Sequence, residues 1–253
     1  LIQSILDENQ ITHVVNLAAQ AGVRASEKSS KPYVHSNLEG FISILDCIKN
    51  SPRIRLVYAS SSSVYGRNPN IPFKENAPTE LQNSLYAATK KCNELLASTY
   101  HYLYKNPMIG LRFFSVYGPL GRPDMALFLF AKNVVKKEPI HLFGEGKMKR
   151  DFTYIDDIVS GIIASIDSPI SYGIYNLGNH QPIQISYMLD LIEKYFDQKT
   201  ERVLHPQPPG EVVTSFACIE KAQKELGYYP KTPFERCLKK TLDWGKDSNY
   251  FSS

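Results

Sequence analysis

Cysteine is scarce in this chain and widely spaced, which argues against a disulfide scaffold and against a zinc finger. The 253 residues include 4 cysteines, none of them in a Cys-x-x-Cys motif: Cys47, Cys92, Cys218 and Cys237. Thiols spread in this way are typical of a reducing compartment, so we expect free cysteines and a cytoplasmic protein. The 6 histidines form no HExxH motif, and we therefore expect no metal site.

Long apolar runs and concentrations of one charge are also missing. No apolar run approaches the roughly 18–20 residues that a membrane-spanning helix needs, and no signal peptide is recognisable. The net charge is only +4, and the Lys and Arg residues are spread along the chain. We therefore expect neither a nucleic-acid partner nor a membrane partner. The hydrophobic content of 43% is ordinary for a globular protein with a buried core.

The first half of the chain alternates between predicted strands and predicted helices. Apolar, β-branched runs predict strands at Ile11–Ala19, Ile54–Ser61 and Met108–Phe114, the first of them buried on both faces. Helical spacing predicts helices over Ser36–Asn50, with Ser36 as the N-cap, and over Ser84–Tyr104. This alternation predicts the α/β class, with a Rossmann-like, doubly wound parallel sheet.

After Gly118 the elements become shorter, and Pro and Gly more frequent, which predicts a smaller mixed α/β lobe. The predicted strands here are Ile140–Phe143, Arg150–Ile155, Gly173–Leu177 and Arg202–His205. The predicted helices are Met125–Lys137, Asp156–Ile166, Ser186–Phe196, Ile219–Leu226 and Phe234–Trp244. We expect residues 1–118 to form the first domain, with 149–168 returning to it. Residues 119–148 and 169–253 are expected to form the second lobe.

Small and polar residues follow the predicted strands of the first domain. They are AAQAGVR (Ala18–Arg24), SSSSVYG (Ser60–Gly66) and FFSVYGPLGRPDM (Phe113–Met125). In open parallel sheets, ligands bind at the carboxyl ends of the strands. Small residues at such an end allow a flat ligand to approach the backbone, so the sequence predicts a binding site at this edge.

Two Tyr-x-x-x-Lys pairs are present, Tyr86 with Lys90 and Tyr195 with Lys199. With 16 tyrosines in the chain, roughly one such spacing is expected by chance, so spacing alone decides nothing. The first pair lies one helical turn apart in the segment after the serine-rich strand end. A neighbouring ammonium would lower the phenol pKa, and Ser61 could share the proton of a substrate hydroxyl. We therefore expect Tyr86 to be the functional tyrosine.

Four motifs together resemble the extended short-chain dehydrogenase/reductase superfamily and its NAD-dependent epimerase/dehydratase family: SSSSVYG, YxxxK, LRFFSVYGP and RDFTYIDD. Within it, AAQAGVR and GLRFFSVYGPLGRPDMALFLF resemble the UDP-glucuronate 4-epimerases. The likeness runs from about Ile11 to Trp244. This chain has Ser115 and Leu120 where that family usually has Thr and Trp. The family's N-terminal strand, Gly-rich loop and acidic ribose-binding residue are not found, so we expect an N-terminally truncated Rossmann domain.

The resemblance implies a role for each matching residue. Tyr86 would be the catalytic base, Lys90 its partner and a ribose ligand, and Ser61 the hydroxyl partner. The cofactor would be NAD, bound by Leu17, Ala18, Ala19, Gln20, Asn37, Tyr86, Lys90 and Phe114. The UDP-sugar substrate would contact Ser61, Ser62, Ser63, Ser115, Arg122 and Arg150, with Arg150 on a phosphate. A homodimer is implied through the helices at Asn37–Asn50 and Ser84–Tyr104.

The implied reaction is the interconversion of UDP-glucuronate and UDP-galacturonate through a 4-keto intermediate. The alternatives within the superfamily are decarboxylases and dehydratases, which carry an acidic residue in the serine loop; Ser60–Ser63 has none, which favours an epimerase. An alternative of another class is a catalytically incomplete fragment with only a binding or structural role. We expect these 253 residues, expressed alone, to be inactive, and either prone to aggregation or stable only in association with the missing segment. Arg122 could also be a solvated loop charge, and Arg150 could pair with Asp151 or Asp156.

Overall fold

A computed structural model describes residues 1–207 and 212–252. Its strands are β1 His13–Asn16, β2 Arg55–Ser61, β3 Met108–Phe113, β4 Ser115–Tyr117, β5 Ile140–Phe143, β6 Lys149–Tyr154, β7 Tyr172–Leu177, β8 Pro182–Gln184, β9 Arg202–His205 and β10 Thr214–Ser215. Its α-helices are α1 Ile2–Glu8, α2 Val23–Lys28, α3 Lys31–Tyr33, α4 Gly40–Ile48, α5 Leu85–Tyr104, α6 Ala126–Lys136, α7 Ile155–Asp167, α8 Ile185–Phe196, α9 Glu220–Leu226 and α10 Phe234–Asp247.

A parallel sheet with the strand order β1-β2-β3-β7 forms the first layer of the molecule. β2 and β3 are almost entirely buried, because helices cover both faces of the sheet. The α/β fold with a Rossmann-like parallel sheet is thereby confirmed. The carboxyl ends of β1, β2 and β3 lie at one edge, so the polar segments that follow them come together there.

β1 differs from its prediction as a strand buried on both faces. Among the described residues it pairs with β2 on one side only. Val15 is 39% exposed, and Leu17, which follows the strand, is 49% exposed. β1 is therefore an edge strand of the described sheet, with a row of backbone groups that no other described strand pairs.

The helix predicted from Ser36 begins earlier than its sequence pattern indicates. α3 starts at Lys31 and continues through a π-helical segment, Val34–Glu39, into α4. Ser36 lies inside this π-helical segment and is not an N-cap. The apolar spacing identified α4 correctly, but Pro32 in the first turn of α3 fits a helix start there.

The second lobe is built on a sheet with the order β10-β6-β4, to which β8 adds on β6. β4 follows β3 after one residue, Phe114, yet it pairs with β6 and not with the first sheet. The predicted boundaries therefore change at two places. β6 belongs to the second sheet and not to the returning segment 149–168, whereas β7, assigned to the second lobe, pairs with β3. The reason is that β3, α7 and β7 form a parallel crossover, in which α7 packs on the first sheet.

A buried carboxylate, that of Glu193, links α8 to the segment that leads into β9. It is fully buried and accepts hydrogen bonds from Lys199 at 2.9 Å, from Arg202 at 2.5 Å and from Thr200 at 2.9 Å. Burial alone would raise the pKa of Glu193, but these hydrogen bonds lower it from 4.5 to about 2. The ionised form is therefore the form that stabilises the fold.

We expect Glu193→Gln to lower the free energy of unfolding at neutral pH by about 2 kcal/mol, since a buried ion pair is broken while the exposed Lys199 is screened by solvent. The folded pKa lies below the unfolded value, so this stabilisation is present above pH 4.5 and is lost as the pH falls towards about 2. Urea unfolding across that range checks the prediction. Lys199→Met, at a side chain that is 79% exposed, is the control and should change stability little. A Glu193→Gln loss that does not depend on pH would contradict the assignment.

Candidate active site

The first turn of α5 places Tyr86 at the edge of the first sheet. Ser84 caps the helix, accepting a hydrogen bond from the Ala87 N–H at 3.1 Å. The N–H of Tyr86 donates to the hydroxyl of Ser26 in α2 at 3.2 Å. Tyr86 is thus held by its own helix and by the short helix that follows β1.

The serine loop after β2 turns back towards Tyr86. Ser61 caps a short 3₁₀ turn, Ser62–Tyr65, and its hydroxyl accepts a hydrogen bond from the N–H of Ser63 at 3.2 Å. Gly66 ends the turn at φ 54°, where a Cβ would collide with the carbonyl of Leu81, so the loop needs glycine there. Ser61 and Tyr86 thereby come close enough for the serine side chain to influence the pKa of the phenol. These two side chains are the predicted base and its predicted hydroxyl partner.

The electrostatics of Tyr86 differ from the expectation. Burial raises the pKa of Tyr86 above 10.0, while the hydrogen bond with Ser61 and the charge of Arg122 act in the opposite direction. Arg122 is thus a cation that favours the phenolate of Tyr86, which sequence spacing could not indicate.

Lys90 is instead anchored beneath the site. It is buried, and its Nζ donates to the carbonyl oxygen of Ala59, in β2, at 2.7 Å. Burial lowers its pKa from 10.5 to about 8. One of its three ammonium protons is used by β2, which leaves donors for a bound ligand.

The second Tyr-x-x-x-Lys pair has none of these features. The hydroxyl of Tyr195 donates to Asp243 at 2.7 Å, and Lys199 pairs with Glu193. Burial and then the bond to Asp243 raise the pKa of Tyr195 to about 12. Tyr195 therefore belongs to the packing of α8 against α10.

Asn37 links the segment after β1 to α5. Its side chain accepts from the N–H of Gln20 at 2.8 Å and donates to the carbonyl of Gln20 at 3.0 Å and to the hydroxyl of Thr89 at 2.9 Å. Thr89 lies between Tyr86 and Lys90 on α5. The predicted cofactor residues Leu17, Ala18, Ala19 and Gln20 are all exposed, and Asn37 places them beside α5.

Phe114 sits at the point where the chain passes between the two sheets. Its ring is buried, with its centroid 6.3 Å from that of Tyr65, and its N–H donates to the carbonyl of Leu177 at 3.1 Å. Its side chain therefore packs in the core of the first sheet, so its predicted cofactor contact would have to involve its backbone or the edge of its ring.

Two adjoining cavities, of about 290 Å³ and about 450 Å³, form a cleft between the two sheets. They share the lining residues Val23, Arg24, Ser115 and Arg150. The smaller cavity is also lined by Ser62 and Ser63, and the larger one by Arg122. The structure thus brings five of the six predicted substrate residues to one cleft, whereas Ser61 is not among the residues that line the two cavities. A separate cavity of about 550 Å³, lined by Glu75, Tyr172 and Lys221 among others, contains none of them.

The two predicted substrate arginines are held in different ways. Arg122 makes a bidentate pair with Asp124, at 2.9 Å and 2.8 Å, and is about half exposed. Arg150 donates to the carbonyls of Lys149 and Val212 at 2.9 Å and 3.1 Å. Asp151, one of the two suggested partners of Arg150, accepts hydrogen bonds from the backbone N–H groups of residues 179, 180 and 217.

Among the lining residues that the sequence did not indicate, Arg24 and Phe143 contact each other. The guanidinium of Arg24 lies 4.8 Å from the ring centroid of Phe143 and connects α2 to β5. Both residues line the larger cavity. Phe143 ends a predicted strand, so the strand-end argument applied to the second lobe would have found it. Arg24 was the last residue of the AAQAGVR segment, and its charge was overlooked.

Within residues 1–207 and 212–252, no group of three or more His, Cys, Asp or Glu side chains is arranged to hold a metal ion. In the same part of the chain, no helix has the length and apolar character required to cross a bilayer.

Comparison with known sequences finds a matching family model and several similar proteins. Residues 1–178 match the model of the NAD dependent epimerase/dehydratase family. An uncharacterized protein of Methanocaldococcus jannaschii is 45% identical, over 96% of this chain and 74% of its own length. UDP-glucuronate 4-epimerase 5 of Arabidopsis thaliana is 43% identical over 96% of this chain, which spans 60% of the plant protein.

A solved structure supports the same assignment. The UDP-glucuronic acid 4-epimerase of Bacillus cereus, in complex with UDP-glucuronic acid and NAD, superposes with a TM-score of 0.91 at 32% identity. The superposition covers 98% of this chain and 78% of the Bacillus chain. From its sequence match and its fold, the chain belongs to the NAD dependent epimerase/dehydratase family.

Proposed function

We propose that the full-length protein is an NAD-dependent nucleotide-sugar 4-epimerase that interconverts UDP-glucuronate and UDP-galacturonate. The observation that carries the proposal is the placement of Tyr86 and Ser61 together, near a cleft lined by arginines. Arg24, Arg122 and Arg150 suit an anionic ligand, because a guanidinium binds phosphate and carboxylate oxygens bidentately. The relatives named UDP-glucuronate 4-epimerase support the choice of sugar.

The donors and small residues at the sheet edge fit a dinucleotide. Ala18 and Ala19 leave the backbone open to a flat ring, and Lys90 keeps ammonium protons beyond the one given to Ala59. When bound, NAD⁺ supplies the hydride acceptor and a positive charge. We assign Leu17–Gln20, Tyr86 and Lys90 to its contacts, and we assign Asn37 to holding Gln20 in place.

The chemistry of the sugar follows from Tyr86 and Ser61. The Tyr86 oxygen takes the proton of the sugar O4 while the C4–H bond breaks and its electron pair leaves with the hydrogen. The hydroxyl of Ser61 positions the sugar O4 next to the phenol oxygen of Tyr86. After the 4-keto sugar has turned over in the cleft, the hydrogen returns to the opposite face of C4. Tyr86 then gives the proton back to O4, so that one C–H and one O–H bond are broken and remade.

Retention of the carboxylate distinguishes an epimerase from a decarboxylase. The 4-keto acid is a β-keto acid and loses CO₂ easily. An acid in the serine loop would promote further proton transfers, but Ser60–Ser63 carries none, and the carboxylate bonded to Ser60, Glu94, is paired with Arg112 behind β2. We assign Ser62, Ser63, Ser115 and Arg122 to holding the sugar carboxylate.

Product analysis tests this proposal. The full-length protein is incubated with NAD⁺ and UDP-glucuronate, and the nucleotide sugars are separated by chromatography. We expect UDP-galacturonate, with little UDP-pentose or CO₂. UDP-pentose as the main product would favour the decarboxylase alternative, and no product would favour a binding or structural role.

We also propose a homodimer through α4 and α5. Three apolar side chains of α5, Leu95, Tyr102 and Leu103, are 57%, 73% and 56% exposed. Their spacing of seven and eight residues puts them on one face of the helix. A second copy of the same helices would cover this face.

Replacing two leucines on this face with charged residues should therefore weaken the dimer strongly. We expect Leu95→Glu with Leu103→Glu to raise the dimer dissociation constant about 100-fold, because two buried charges would face each other. Light scattering over a concentration series measures this. Leu204→Glu, at a leucine of β9 that is 59% exposed, is the matched control. A monomeric wild type, or a double variant that stays dimeric, would refute the proposed interface.

A further inference from the structure

A buried ion pair lies directly behind the proposed active site. Glu94 on α5 accepts hydrogen bonds from Arg112 on β3, at 2.8 Å from Nε and 2.9 Å from Nη2. Each side chain is only 2% exposed. A buried ion pair often contributes no more net stability than apolar side chains of the same volume. We therefore ask which side chains this ion pair holds in place.

The carboxylate of Glu94 connects α5 to the strand end that carries Ser61. Glu94 lies one helical turn after Lys90 and two turns after Tyr86, so the three side chains share one face of α5. The hydroxyl of Ser60 donates to Glu94 Oε1 at 2.7 Å. Ser60 and Ser61 are consecutive residues of β2. Through the hydroxyl of Ser60, Glu94 therefore ties the helix that carries Tyr86 to the strand end that carries Ser61.

The guanidinium of Arg112 reaches the serine loop. It lies 4.8 Å from the centroid of the Tyr65 ring, and its Nη1 donates to the backbone carbonyl of Glu75 at 3.2 Å. Tyr65 is the last residue of the 3₁₀ turn that Ser61 caps, and its hydroxyl donates to Asn176 of β7 at 2.7 Å. The ion pair therefore connects α5, β2, β3 and the serine loop at one buried point.

We propose that Glu94 and Arg112 are positioning residues, which set the relative placement of Tyr86 and Ser61 through Ser60 and through the serine loop. Each of the two side chains is only 2% exposed, so we assign neither of them to substrate contact. The proposal rests on the proposed function only where turnover is the measurement. The geometry itself is measured through the pKa of Tyr86, which is sensitive to the position of Ser61.

The sign of a change in the Tyr86 pKa separates positioning from simple electrostatics. Glu94→Gln removes a negative charge, and by Coulomb interaction alone this would lower the pKa of Tyr86. Loss of the hydrogen bond from Ser61 would raise it, since that bond favours the phenolate. Ser60→Ala changes no charge and cuts only the link between Glu94 and β2. We therefore expect a rise of roughly half to one pH unit in both variants.

The experiment is a ¹³C NMR titration of full-length protein labelled at the tyrosine Cζ, with the Tyr86 signal assigned from Tyr86→Phe. Wild type, Glu94→Gln and Ser60→Ala are compared. Glu193→Gln is the matched control, because it also breaks a buried carboxylate–arginine pair but lies on α8. It should leave the Tyr86 midpoint unchanged. In turnover with UDP-glucuronate, Ser60→Ala should lower kcat about tenfold at an unchanged KM.

Three outcomes decide the matter. A higher midpoint in both variants, with none in Glu193→Gln, supports the positioning role even if the protein does not turn over UDP-glucuronate. An unchanged or lower midpoint in folded Ser60→Ala overturns it, whatever the activity. An equal rise in Glu193→Gln would also overturn it, since the effect would then follow from loss of stability alone. Should Glu94→Gln fail to fold, Ser60→Ala carries the test.

Discussion

Tyr86→Phe is expected to lower the kcat of UDP-glucuronate epimerisation by about 1000-fold or more in the full-length protein. The substitution removes only the phenol oxygen, the atom proposed to take the proton of the sugar O4. The ring remains and keeps its edge contact with Tyr33, at 6.4 Å between centroids. The melting temperature should therefore stay within about 2 °C of the wild-type value. Steady-state kinetics and calorimetry measure the two quantities.

The matched control for this substitution is Tyr195→Phe. Tyr195 has the same spacing to a lysine, but its hydroxyl serves Asp243 in the second lobe. We expect its kcat to remain within about twofold of the wild type. Near-normal turnover in Tyr86→Phe, or a large loss of kcat in Tyr195→Phe, would show that the wrong pair has been assigned.

Arg122→Ala is expected to weaken the binding of UDP-glucuronate about 10- to 100-fold more than it weakens the binding of UDP-glucose. Only the first sugar has a carboxylate, and Arg122 lines the cleft with a guanidinium that already binds one carboxylate, that of Asp124. Arg122 also favours the phenolate of Tyr86, and losing it would affect any substrate. The ratio between the two sugars therefore isolates recognition of the carboxylate.

Asp124→Asn provides the opposite perturbation at the same position. It removes the carboxylate that competes for Arg122, so UDP-glucuronate should bind as tightly as before or up to about tenfold more tightly. UDP-glucose should be unaffected. Isothermal titration calorimetry with both sugars compares the variants. Equal losses for the two sugars in Arg122→Ala would mean that Arg122 does not recognise the carboxylate.

The local elements could be predicted because their signals are local. α5, Leu85–Tyr104, lies within the predicted Ser84–Tyr104, and β9 matches the predicted Arg202–His205. The start of α3 could not be predicted from apolar spacing, since its three residues are too few to show a helical repeat. The edge position of β1 and the pairing of β4 with β6 depend on contacts distant in sequence, which periodicity does not encode.

The site was predicted to the extent that it lies at strand ends. That rule led to Ser61–Ser63 and Ser115, and these residues line the cleft or bond to Tyr86. It could not reveal that Lys90 bonds to Ala59 or that Arg122 influences Tyr86, because both depend on side-chain directions after folding. The burial of Tyr86 could not be read from the sequence either. It raises the pKa of Tyr86, whereas the sequence argument considered only a neighbouring cation.

The fate of the C4 hydrogen tests the central claim most directly. UDP-glucuronate carrying deuterium at C4 is incubated with the full-length protein and NAD⁺ in ordinary water, and the product is examined by mass spectrometry and NMR. If Tyr86 and Ser61 act as proposed, the C4 hydrogen leaves and returns within one closed site. The account therefore predicts UDP-galacturonate that retains the deuterium at C4. Loss of the deuterium to solvent, or a product that lacks the carboxylate, would contradict it.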